Sequence, residues 1–189
     1  MKKEHIKNYF NDELDAIKNL DTKKIEELIS KLESALINDQ TIYIFGNGGS
    51  GSTASHFVAD FNKSNFKKID KRFKFNCLND NIPIMLAISN DYGYADVFSN
   101  QLNGRVNSSD IIIAISGSGN SKNIIEAVSY AKNEGAFIIG LTGYDGGKLS
   151  KLSDLEINSG INNMQITEDI HLIIEHLTIS YFHKKYEVM

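Results

Sequence analysis

The sequence predicts an α/β protein: a three-layer αβα fold, with a five-stranded parallel sheet flanked by helices and preceded by an N-terminal helical hairpin. Three observations carry that expectation. Five short β-rich runs occupy residues 41–157, separated by helical patterns. The middle runs are apolar continuously, as strands buried on both faces are, where a half-buried strand alternates. Each run leads into a loop rich in Gly, Ser or Asn.

In chain order, Ile6, Tyr9, Phe10, Leu14, Ile17 and Leu20 recur at three- and four-residue steps and predict a first helix. Ile25, Leu28, Ile29, Leu32 and Leu36 predict a second, opened by the capping pair Asp21-Thr22. The strand runs follow: TIYIF (41–45), FKFNCL (73–78), DIIIAI (110–115), AFIIGLT (136–142) and DLEI (154–157). A last helix runs from about Thr167 to Phe182 and is apolar nearly all round, through Ile170, Leu172, Ile173, Ile174, Leu177 and Ile179. Such a helix is covered by its own domain or by another subunit. No repeat or linker interrupts the chain, so residues 1–189 are expected to form one domain, with 1–38 as the hairpin and 39–189 as the core and C-terminal helix.

Composition narrows the function classes. The 189 residues carry 20 basic and 24 acidic side chains, a net charge of −4, with 41% hydrophobic residues, one Cys and one Pro. These are the proportions of a globular domain, and disorder, collagen and coiled coil are excluded as overall descriptions. The longest apolar run, Ile111 to Ile115, falls far short of a membrane span of about 20 residues. The charged N-terminus does not read as a secretory signal, and Cys77 alone forms no internal disulfide, so a cytoplasmic location is expected. A pI near 5.7 argues against nucleic acid as a partner. The basic run Lys63, Lys67, Lys68, Lys71, Arg72 and Lys74 reads as solvated surface.

Two loops carry the chemistry. Gly46-Asn47-Gly48-Gly49-Ser50-Gly51-Ser52 joins a strand directly to a helix, and Ser116-Gly117-Ser118-Gly119-Asn120-Ser121 does the same after DIIIAI. Glycines let backbone amides approach an anion, a helix start adds unpaired N–H groups, and short hydroxyls donate to phosphate oxygens. Two such loops at the C-terminal edge of one parallel sheet lie where open α/β sheets bind ligands. Gly46, Gly48 and Gly51 also match the dinucleotide fingerprint G-x-G-x-x-G. That fingerprint expects an acid about 20 residues on; Asp80 comes 29 residues after Gly51, and the second loop is left without a role.

Among the titratable residues, His56 and Asp60 share a helix face at i and i+4. Glu168 and His176 stand eight apart on the last helix, with His171 and Glu175 near the same stripe. A polar stripe on an apolar helix costs free energy unless its groups are paired or coordinated, so a buried network and a zinc site both fit. His5 and His183 are expected at the surface.

The ordered set FGNGGSGSTASHFVAD (45–60), SNDYGYADVFSNQL (89–102), ISGSGNSKNIIEA (115–127), LTGYDGGKLS (141–150) and EDIHLIIEHL (168–177) resembles the phosphoheptose isomerases of the sugar isomerase (SIS) fold. The resemblance implies a SIS-fold aldose–ketose isomerase converting sedoheptulose 7-phosphate to D-glycero-D-manno-heptose 7-phosphate, for heptose in lipopolysaccharide or capsule. It assigns the phosphate to Asn47, Gly48, Gly49, Ser50, Ser116, Gly117, Ser118 and Ser121. Asp60 and His176 become the acid/base pair, Asp91 an acidic site residue, and Glu168 an alternative base. His56, Asp60, Glu168 and His176 would hold one zinc. It also implies a homotetramer with sites at subunit contacts. The chain departs from the family at Gly117, where Thr is usual, at Asp60 for Glu, and at Glu168 for Gln; an Arg typical of the helix after the first loop is missing. Two rivals stand beside it: a non-catalytic SIS adaptor, since relatives of these isomerases bind a protein partner, and an isomerase of another sugar phosphate, to which these departures point. An adaptor has no need of His56, Asp60, Glu168 and His176 together. With the sequence ending at Met189, the extra regulatory domains of related arabinose phosphate isomerases are not expected.

Overall fold

The computed structural model describes residues 1–189. Helices α1 (Lys2–Lys18) and α2 (Thr22–Ile37) form the hairpin, and the Asp21 carboxylate caps α2 by accepting from the Lys23 and Lys24 amides. Then come β1 (Thr41–Gly46), α3 (Gly48–Lys63), β2 (Lys74–Cys77), α4 (Ile82–Asp91), a 3₁₀ turn at Tyr94–Asp96 and α5 (Ser99–Leu102). The chain continues through β3 (Ile111–Ser116), α6 (Lys122–Asn133), β4 (Phe137–Thr142), α7 (Gly147–Leu152), β5 (Leu155–Asn158) and α8 (Met164–Tyr186). Every strand lies within one residue of its predicted run, while α8 extends the predicted helix at both ends.

All strand pairs are parallel, in the order β2-β1-β3-β4-β5. β3 is buried at every residue, which explains its unbroken apolar run; β2, at an edge, alternates exposed and buried. Ile42, Ile44, Ile111, Ile113 and Ile115 join a core with α2, α3 and α8, while Tyr43, Phe45, Ile112 and Ala114 join a second core beneath α5 and α6. The sheet is therefore covered on both faces.

Strand order positions the site. From β1 the chain crosses outward to β2, and from β3 it crosses the other way to β4, so the direction reverses between β1 and β3. The two strands are paired, with Gly46 opposite Ile115. At such a switch point the loops leaving the strand ends diverge and open a crevice. Both predicted glycine-serine loops leave from there.

Candidate active site

The crevice is a cavity of about 240 Å³ lined by Asn47, Gly48, Gly49, Ser50, Ile115, Ser116, Gly117, Ser118, Ser121, Met164 and Glu168. All eight residues expected around a phosphate line it. The first loop delivers its backbone directly into α3, with Asn47 at the N-cap position. Asn47 does not cap the helix with its side chain. It exchanges two hydrogen bonds with Asn123 (2.9 and 2.8 Å) and accepts a third from the Tyr94 hydroxyl at 2.8 Å, which locks the loop to α6 and the 3₁₀ turn. In the second loop, Gly119 has φ +63°, and a Cβ there would lie 2.0 Å from the Gly146 carbonyl oxygen, so only glycine fits.

Ser116 Oγ is buried without a hydrogen-bond partner. A buried hydroxyl left unpaired costs about 1–3 kcal/mol, and an oxygen-rich anion in the cavity would supply its acceptor. Ser121 stands at the N-cap of α6 yet makes no capping bond, which leaves its hydroxyl unengaged with its own helix. At Gly117, a Cβ would meet Met164 Sδ at 2.6 Å. Met164 thus fills the space in which a Thr side chain would stand. A cleft of about 340 Å³ lined by Tyr92, Asp96, Ser99, Asn100, Asn103 and Tyr130 contains neither loop.

Near the cavity wall formed by α3 and α8, one ligating atom each from His56, Asp60, Glu175 and His176 lies within 4.8 Å of the others. His176 Nε2 stands 3.4 Å from His56 Nε2 and 3.3 Å from Glu175 Oε2, and His56 Nε2 is 3.6 Å from Asp60 Oδ2. Lys63 donates to Asp60 Oδ1 at 2.6 Å. Burial alone would raise the Asp60 carboxyl, but that lysine, His56 and His176 outweigh it and hold it below the usual carboxylate range. Burial pushes Glu175 up to about 7, with the Asp60 charge adding to the effect.

This donor set fits a divalent cation. Both Glu175 oxygens are buried and make no hydrogen bond, while the imidazole nitrogens converge on the same point. Two imidazoles and two carboxylates around one point are a tetrahedral zinc set. The carboxylate that joins the histidines is Glu175, where Glu168 was expected. Helical side chains lean toward the helix N-terminus, and Glu168 leans away from the histidines to lie over Gly49 in the cavity. The only signal for Glu175 in the sequence was its place near the polar stripe; that it is fully buried beside His176 is a tertiary fact.

Asp91 ends α4, exposed, and accepts a hydrogen bond from Asn90 at 2.8 Å; it contacts neither the cavity lining nor the histidine cluster. His171 lies apart from the cluster, fully buried, with its Nε2–H donated to the Thr142 carbonyl at 3.0 Å. His5 is exposed as expected, whereas His183 is half-buried and bonded to the Ser64 hydroxyl at 2.8 Å. Its partner explains the difference, because α8 extends past Phe182 and carries His183 against the end of α3. Part of the basic run is used within the chain: Lys63 pairs with Asp60, Lys68 with Glu187 and Lys74 with Asp39.

The SIS domain model matches residues 6–143, well over half of the chain. The chain belongs to the SIS domain family. A probable phosphoheptose isomerase of Thermoplasma acidophilum is 34% identical over 180 residues, which are 95% of this chain and 98% of that protein. The phosphoheptose isomerase of Helicobacter hepaticus is 36% identical over 156 residues, covering 82% of this chain and 79% of the relative. Among solved structures, a phosphoheptose isomerase from Francisella tularensis superimposes with a TM-score of 0.88 at 26% identity, covering 97% of this chain and 99% of the other. Within the SIS family, the chain therefore groups with the phosphoheptose isomerases. No helix is long and apolar enough to cross a membrane.

Proposed function

We propose that this chain is an aldose–ketose isomerase interconverting sedoheptulose 7-phosphate and D-glycero-D-manno-heptose 7-phosphate, supplying heptose for surface polysaccharide. The observation that carries this reading is the sharing of α3 and α8 between the phosphate-type cavity and the His56, Asp60, Glu175, His176 cluster. An isomerase of this class grips a distant phosphate, removes the proton beside a carbonyl and returns it to the neighbouring carbon. Here the Gly-Ser loops, with Ser50, Ser116, Ser118 and Ser121 as donors, hold the phosphate. Asp60 takes the proton, giving an enediol, and His176 serves the oxygens as proton donor. A base drawn below the usual carboxylate range is a weak one, and a zinc in the cluster would polarise the carbonyl to lower the substrate's own acidity barrier. His56 and Glu175 are the cluster residues that would hold it, leaving Asp60 and His176 beside it to move the protons.

The resemblance extends the proposal to a cytoplasmic homotetramer in which residues 1–189 act as one SIS domain, with Asp91 contributing at a site shared between subunits. Exposed Ile6, Phe10 and Leu14 on α1, and Ile82 and Leu86 on α4, support assembly, because a monomer would leave them in water. The test is NMR of the protein incubated with zinc and sedoheptulose 7-phosphate in deuterated water, beside Asp60→Ala and His176→Ala. Conversion with deuterium at C2, lost in both variants, is the expected result. Folded, assembled protein that neither converts the sugar nor exchanges its proton would sink the reading.

A further inference from the structure

The cavity contains an anion of its own. Its lining includes no Lys, Arg or His; apart from glycine backbone, hydroxyls, one amide, Ile115 and Met164, the only remaining group is the Glu168 carboxylate. That carboxylate presses on the start of α3: a Cβ on Gly49 would lie 2.2 Å from Glu168 Oε2 and 2.4 Å from Oε1. Gly49 is what admits it. The carboxylate is half-buried and occupies the side of the cavity facing the first turn of α3, where an incoming anion is drawn by unpaired amides.

A bare tetrahedral anion and this carboxylate both only accept hydrogen bonds and repel each other at short range, in a site with no cationic side chain to offset them. A sugar phosphate differs because its hydroxyls donate. The helix gives the direction: Met164 and Glu168 face the cavity, and Glu175 and His176 face the cluster. From Glu168 to His176 is eight residues, about 12 Å of helix, a span of the order of an extended sugar chain. A chain anchored by its phosphate in the loops and reacting at the cluster must pass Glu168.

Resting on the reading of this cavity as a sugar-phosphate site, we propose that Glu168 is its selectivity residue. The carboxylate rejects free inorganic anions, and the hydroxyls of an open-chain sugar phosphate offset the repulsion by donating to it. Removing the charge therefore favours the inorganic anion and not the sugar phosphate, a divergence that a merely structural role for Glu168 would not produce.

The experiment compares wild type, Glu168→Gln and Glu168→Asp. Calorimetry gives the Kd for sulfate, which carries no proton to share, and kinetics gives KM for sedoheptulose 7-phosphate. Glu168→Gln is expected to tighten sulfate roughly tenfold, while KM stays constant or rises. Glu168→Asp keeps the charge but draws it back by one methylene, and should fall between the two; it stands in for the amide if Glu168→Gln does not fold. A wild type that turns over the sugar while the variants leave sulfate binding unchanged, or move Kd and KM in step, overturns this proposal and leaves the isomerase reading intact. A folded wild type that does not turn over the sugar, with sulfate bound no more tightly by Glu168→Gln, overturns both.

Discussion

The cavity and the cluster sit on the same two helices and are built in opposite ways. The cavity is made by chain geometry: strand ends, glycine backbone and helix starts place neutral donors, and its loops are locked by the Asn47, Asn123 and Tyr94 hydrogen bonds. The cluster is made by side chains alone: two imidazoles and two carboxylates converge, and both oxygens of the buried Glu175 accept no hydrogen bond. In a cavity of the first kind the one unsatisfied buried group is neutral, the Ser116 hydroxyl. A cluster of the second kind carries a cost that a bound cation removes, because a buried carboxylate whose oxygens accept no hydrogen bond is expensive to fold around. The comparison separates a rigid binding half from a chemical half that is strained in the protein alone.

The largest test breaks the chemical half. Asp60→Ala or His176→Ala should lower kcat by about 10²–10⁴-fold in steady-state assays, with sulfate binding at the cavity unchanged. A loss of sulfate binding of similar size would show the two halves to be one unit.

Glu175→Gln sharpens the comparison next. Replacing a buried carboxylate that accepts no hydrogen bond by a neutral isostere should stabilise the metal-free protein by about 1–3 kcal/mol in denaturant melts. The same change should reduce the stabilisation gained on adding zinc, which for a wild-type site is expected to be about 2.7 kcal/mol at a hundredfold excess over Kd and is read as a rise in Tm. If zinc stabilises both proteins equally, Glu175 is no ligand.

A third prediction concerns His171, buried beside β4 and outside both halves. Burial, opposed in part by the Thr142 carbonyl, pushes it down to about 4 from its ordinary 6.5. The unfolded chain therefore takes up a proton that the native state refuses, and stability is lost as pH falls from about 6.5 toward 4. Glu175 works the other way: with its native value near 7, above its ordinary 4.5, it loses stability as pH rises through that window. The two oppose, so the His171 effect is to be measured in Glu175→Gln protein. There, urea melts at pH 7 and pH 5 should differ by about 2 kcal/mol. A flat profile would remove His171 as the acid-sensitive point.

The smallest expected effect lies in the binding half. Gly117→Thr must displace Met164, whose sulfur would stand 2.6 Å from the new Cβ. Overpacking of this kind costs about 1–3 kcal/mol, eased because methionine is flexible. Gly117→Thr with Met164→Ala should restore both the space and a hydroxyl donor, and tighten phosphate a fewfold in calorimetry. If the double variant binds no better than Gly117→Thr alone, Met164 does not control access to the loop.

The sheet was legible because each strand's burial is written in its own run: DIIIAI is apolar at every step since β3 is covered on both faces, and FKFNCL alternates because β2 is an edge. The loops were legible for a related reason, since Gly and Ser clusters mark strand ends locally. The places of Glu168, in the cavity, and Glu175, in the cluster, were not. Both lie near one helical stripe, and periodicity assigns a face without saying what stands opposite it. Met164 and the Tyr94 contact with Asn47 were equally hidden, the first outside any motif and the second bridging 47 residues.

By itself, the sequence determined the parallel αβα architecture, the two anion-type loops and the histidine-carboxylate residues available for chemistry, because periodicity, glycine content and i, i+4 spacing act over a few residues. Only the tertiary structure decided which carboxylate meets His56 and His176, and which is left facing the phosphate loops. That choice depends on the approach of α8 to α3 across the sheet, set by packing of side chains far apart in the chain.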